Sequence, residues 1–124
     1  MKYIMVNGGT VGFGTGAVVT GGIFTITSVP STDVLIDNNG VYSGSLSWTF
    51  AGGSGTGSVS GTVTGSGTIT AGSTSTKADS KTVVLSGDSV TATFTGVDSD
   101  GNTVTYAAQQ VEILTAGQSA VKAD

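Results

Sequence analysis

The chain has no cysteine, no histidine and no arginine, and only one proline, in 124 residues. Without cysteine there are no disulfides, no thiolate nucleophiles and no iron–sulfur ligands. Without histidine there is no imidazole to serve as a base near neutral pH. Lys2, Lys77, Lys81 and Lys122 are the only basic side chains, and they face eight acidic ones for a net charge of −4. That balance cannot neutralise a run of phosphates, which argues against nucleic acid as a partner. Long apolar runs are missing too. The start, M-K-Y-I-M-V-N-G-G, is interrupted by Gly8 and Gly9, too soon for a secretory apolar region, and nothing reaches the length of a membrane span.

What remains is glycine at 21 positions, abundant serine and threonine, and β-branched residues in short alternating runs. Positive mean hydropathy with only 10% charged residues argues against disorder. The length predicts one domain that buries roughly two thirds of its unfolded surface. Alternation predicts an all-β fold. Leu46, Trp48 and Phe50 fall on one face of a strand, with Ser45, Ser47 and Thr49 on the other. Val90, Ala92 and Phe94 repeat the pattern against Thr91, Thr93 and Thr95. Asp37-Asn38-Asn39-Gly40 and Asp98-Ser99-Asp100-Gly101-Asn102 carry the residues of tight hairpin turns. The stretch Ala51–Gly57, A-G-G-S-G-T-G, reads as a flexible loop.

A phrase recurs. T-A-G-S-T-S-T-K-A-D at Thr70–Asp79 returns as T-A-G-Q-S-A-V-K-A-D at Thr115–Asp124, and S-V-P-S-T-D-V-L-I-D at Ser28–Asp37 shares its Ser-Thr pair and closing Asp. The flanks repeat as well, Asp37–Gly52 echoing Asp79–Gly96. The reading is three units, roughly residues 17–60, 61–101 and 102–124, with the third cut off at its Asp. Three similar units in one domain predict a compact cone or prism of short β-hairpins with internal pseudo-threefold symmetry. A threefold partner meets such a domain with like contacts on every side. Asp37, Asp79 and Asp124, with Lys77 and Lys122, occupy equivalent repeat positions, and are the candidate partner-binding residues.

Catalytic chemistry has little to work with. Glu112 is the one glutamate, and Asp33, Asp37, Asp79, Asp88, Asp98, Asp100 and Asp124 mostly neighbour Gly, Ser or Asn, so they read as turn residues rather than an acid–base pair. No serine has a companion base. Gly12-Phe13-Gly14-Thr15-Gly16-Ala17 fits G-x-G-x-x-A, but a strand pattern follows where a pyrophosphate site needs a helix. Asp98–Asn102 resembles half a calcium loop, but Gln109 stands where its last acidic ligand belongs. Trp48 and Phe50 read as core rather than as a binding platform. The expectation is a non-enzyme with no metal and no cofactor.

V-K-A-D, T-K-A-D-S-K-T-V-V-L-S-G-D-S-V and G-V-Y-S-G-S-L-S-W-T-F together resemble the small PAAR-like proteins that cap the spikes of phage tails, tailocins and type VI-like contractile injection systems. The resemblance runs from about Ala17 onward as short motifs. It implies a structural tip bound to a trimeric spike protein, VgrG-like or a tail-spike hub, that sharpens the spike for membrane puncturing. The chain would be a monomer on its own, made in the bacterial cytoplasm, assembled at the distal end of the tail or baseplate, and in transient contact with the target cell envelope. The family's Pro-Ala-Ala-Arg phrase and its metal-binding His and Cys residues are missing here. The other reading is a self-associating β-rich decoration, fibre or adhesin-type domain of a virion or cell surface.

Overall fold

Alternating small polar and apolar residues put one face of each long strand inside, and the inward faces meet around a single aromatic core. The computed structural model describes all residues from Met1 to Asp124 and contains no helix. Its strands are β1 (Lys2–Tyr3), β2 (Thr10–Phe13), β3 (Thr20–Ile26), β4 (Leu35–Ile36), β5 (Asn39–Gly40), β6 (Ser45–Ser54), β7 (Val63–Thr70), β8 (Lys77–Ala78), β9 (Lys81–Thr82), β10 (Ser89–Val97), β11 (Thr103–Thr115) and β12 (Lys122–Ala123). Six of them form an antiparallel sheet in the order β2-β11-β10-β7-β6-β3, curled into a nearly closed barrel. The other six pair as three short hairpins, β4–β5, β8–β9 and β12–β1.

The fold repeats three times. In each unit a short hairpin leads into one long strand, a loop, and a second long strand that returns to the next hairpin. The third unit, short of its closing half when read linearly, is completed by the beginning of the chain: Lys2 pairs with Ala123 and Tyr3 with Lys122. Lys2–Val11, K-Y-I-M-V-N-G-G-T-V, then overlays Lys81–Val90, K-T-V-V-L-S-G-D-S-V, without a gap. The repeat therefore closes through the chain ends.

Where the units meet, the backbone forms a ring. The Tyr42 N–H donates to Met5 O (3.1 Å), the Met5 N–H to Val84 O (2.8 Å), and the Val84 N–H to Tyr42 O (3.0 Å). Bridges between Ile4 and Leu85, Val6 and Val41, and Ser43 and Val83 run round the same axis. Alternation then sorts the side chains. Met5, Tyr42 and Val84 enter the barrel core, while Ile4, Val6, Val41, Val83 and Leu85 turn the other way into a second small core with Ala78 and Ala123. The main core holds Trp48, Phe50 and Phe94, fully buried, with Leu46, Val63, Ile69, Val111 and Ile113. Trp48 and Phe50 are thus core residues.

The expected loop at Ala51–Gly57 is a strand through Ser54. Register steps from Phe50↔Gly65 to Gly53↔Val63, so Ala51 and Gly52 oppose a single residue. Gly52, at φ 76°, absorbs that bulge. Glycine richness signalled a bend in a strand, not a break.

A second bulge lies between β10 and β11, where register passes from Ala92↔Gln109 to Phe94↔Tyr106. Here Ala108 takes the positive φ, 55°, a conformation in which an L-side chain is strained. Ala108→Gly is therefore expected to stabilise the fold by about 0.5–1 kcal/mol. A urea midpoint that fails to rise would show that the bulge relaxes in solution.

Candidate partner-binding face

The three hairpins stand together at one end of the barrel. Two of their turns place residues with positive φ at both central positions, Asp37 and Asn38 at 52° and 67°, Asp79 and Ser80 at the same values, as two-residue turns of matching twist require. Asp and Asn tolerate that region because their short polar side chains bond locally. The third turn is open, and its two positions are the chain ends, Asp124 and Met1.

All five sequence-predicted residues lie on these hairpins. Asp37, Asp79 and Asp124 hold the first turn position. Lys77 and Lys122 share one place on the outer strand, opposite Thr82 and Tyr3. The Lys122 ammonium lies 4.7 Å from the centre of the Tyr3 ring, a cation–π contact. Leu35, opposite Gly40, holds the third equivalent place and was missed because it is not a lysine. Lys2 and Lys81 were missed as well, although wrapping the chain end onto its beginning aligns them. Every lysine and the amino terminus therefore sit at the hairpin end.

The repeated phrase is the approach to each hairpin. Ser31 Oγ accepts the N–H groups of Asp33 and Val34 at 3.1 and 2.9 Å. Ser73 Oγ accepts the Thr76 N–H at 3.1 Å and donates to Asp124 O at 2.6 Å. Gln118 Oε1 accepts the N–H groups of Ala120 and Val121 at 2.7 and 2.8 Å. Recurrent Ser, Ser and Gln are thus turn-closing acceptors. Beyond them the outer strands β4, β8 and β12 are each paired on one side only, which leaves three strand edges at equivalent positions.

The opposite end has no such regularity. Its connections, residues 14–19, 55–62 and 98–102, differ in length and chemistry. Asp98 Oδ1 accepts the N–H groups of Asp100 and Asn102, both at 2.9 Å, so that carboxylate closes its own turn. Tyr106 holds the middle loop by donating to Thr56 O at 2.8 Å. Gln109 holds the first, its Oε1 accepting the Val18 N–H at 2.8 Å.

The remaining acidic and glycine-rich motifs fall into backbone roles. Asp88 Oδ2 accepts the N–H groups of Gly72 and Leu85, both at 2.8 Å. Glu112 lies on β11 opposite Gly12 and Ser89. Gly12–Ala17 runs from strand into loop and on to β3, with no helix end to receive a phosphate. Comparison of the chain with family models, with curated proteins and with solved structures returns no match.

Proposed function

We propose that this chain is a non-enzymatic plug that caps a trimeric spike of a phage tail or contractile injection machine, docking through its hairpin end. The observation that carries the reading is the closed ring of backbone bonds through Met5, Tyr42 and Val84. One chain that encloses a threefold axis can satisfy three identical partner chains at once. The hairpin end is the face a trimer can use, because Asp recurs at all three turns and a strand with a free edge precedes each. Strand addition to those edges supplies backbone hydrogen bonds that a trimeric β-structure would otherwise leave unmade at its end. The irregular Gly/Ser/Thr loops then form the exposed point, where the spike meets the target envelope.

Light scattering after size exclusion is expected to return the mass of one chain, 12.1 kDa. Mixed with candidate trimeric spike proteins, the chain should bind at one copy per three spike chains. Because backbone pairing dominates, binding should survive salt that screens surface charge. Three copies per spike, or a stable trimer of the chain alone, would sink the plug and favour the decoration or fibre reading.

A further inference from the structure

One place breaks the pseudo-symmetry. In two units the long strands of a hairpin are joined by a backbone ladder, β6 to β7 and β10 to β11, whereas β2 and β3 lie at opposite ends of the sheet order and share none. Their bonds to the other neighbours show which residues face the gap. The Gly14 N–H donates to Gln110 O and the Thr10 N–H to Thr115 Oγ1 on the β11 side. The Thr27 N–H donates to Ser47 O on the β6 side. By strand alternation, Val11 and Phe13 on one edge and Phe24 and Ile26 on the other aim their backbone groups into the seam.

Side-chain volume gives the reason. Val11 and Ile26 correspond to the paired residues Leu46 and Ile69, and Phe13 and Phe24 to Trp48 and Gly67. At Gly67 a Cβ would come within 2.7 Å of the Trp48 ring, so that hairpin closes because one partner has no side chain. Phe13 and Phe24 are both large, and their rings meet edge-on at 4.9 Å. The strands are held apart, and towards the hairpin end they enclose a cleft of about 390 Å³ lined by Asn7, Thr10, Val11, Phe24, Ile26 and Tyr42. The Tyr42 hydroxyl reaches only Asn7 Oδ1, at 3.5 Å, and burial pushes its phenol above the ordinary value, so it remains a neutral donor.

We infer that the open part of this seam, between the Phe13–Phe24 contact and the hairpins, is a strand-acceptor site, filled by an extended segment of the docked trimeric partner that pairs there with β2 and β3. Two facing strand edges match the backbone of an extended peptide and no compact ligand. Asn7–Thr10, which line the cleft, follow shortly after the ring residue Met5 and lie on the side of the hairpins, so a segment from a partner docked there reaches it. Only one of the three long-strand pairs is open. A single partner chain would therefore contribute a strand, fixing the rotation of the plug on an otherwise symmetric spike.

The source of the strand rests on the docking reading; the acceptor seam does not. Amide hydrogen exchange by NMR tests the seam with an amidated peptide copying Val63–Thr70, VTGSGTIT, because β7 is the equivalent of β3 and pairs with the equivalent of β2. In the free protein the Val11, Phe24 and Ile26 amides should exchange at least about tenfold faster than those of Leu46 and Ile69. The peptide should slow them about tenfold, and the same peptide with proline at both glycines should not. Slow exchange in the free protein, or no response to millimolar peptide, overturns the inference. The same three amides should slow in a spike complex, and a docked spike that leaves them unchanged overturns the partner as source. Peptide protection with no spike protein captured would count against the docking reading instead.

Discussion

Deleting residues 1–6 is expected to leave the chain unfolded. Met5 and Val6 have no exposed surface and Ile4 keeps only 5%. Met5 belongs to the barrel core, and Ile4 and Val6 to the core beneath the hairpins. Burial of three such side chains contributes about 1.5–3 kcal/mol each. The backbone loss adds to this. Without Met5 the ring of three bonds is broken at both of its contacts, and Val121 O, Ala116 O and the Ser86 N–H lose their partners in Ile4, Val6 and Tyr3. A domain of this size holds about 5–15 kcal/mol in total, so the deletion removes most or all of it. Circular dichroism and amide shift dispersion would report the loss.

A permuted chain separates missing residues from altered connectivity. If Asp124 is joined directly to Met1, with Met1→Gly to suit the positive φ of the turn, and new ends are opened between Asp79 and Ser80, every core contact is kept. The chain break has only moved from one equivalent turn to another. This permutant is expected to fold with the original spectrum. A permutant that fails while the parent folds would mean that the three hairpins are not interchangeable, and would remove the basis for treating them as a threefold face.

The sequence made the strands legible because their signal is local. Leu46, Trp48 and Phe50 alternate with polar residues, and the turn residues Asp37-Asn38 and Asp98–Asn102 carry their own φ preferences. The closure of the third unit was harder to see. β1 and β12 lie at opposite ends of the chain, and Lys2-Tyr3-Ile4-Met5 matches Lys81-Thr82-Val83-Val84 in character with only the lysine identical. The candidate face was half visible for the same reason: repeated Asp and Lys mark it, but Lys2 and Leu35 join it only through pairing. The open seam was invisible. It depends on Phe13 and Phe24 standing opposite each other, whereas in the sequence these two lie in separate runs with nothing to pair them.

Trp48→Ala is expected to cost about 3–5 kcal/mol, the range for emptying a large buried aromatic site, and to bring the domain close to its unfolding threshold. The ring is 1% exposed, stacks on Phe94 at 5.6 Å with 16° between planes, and meets Phe24 edge-on at 5.5 Å. Its edge also fills the space that Gly67 leaves, so the cavity would span both partners of a paired position and could not collapse without shifting β6 against β7. Trp48→Phe should behave differently. The indole nitrogen is buried without a hydrogen-bond partner, and an unsatisfied donor of that kind costs about 1–3 kcal/mol. Phenylalanine removes the donor and leaves a smaller void, so the two effects offset and the net change should stay within about 1 kcal/mol. Urea denaturation of both variants checks the pair. A Phe variant as unstable as the Ala variant would mean that the indole N–H is satisfied in solution, and that the centre of the barrel is specified by a polar contact as well as by shape.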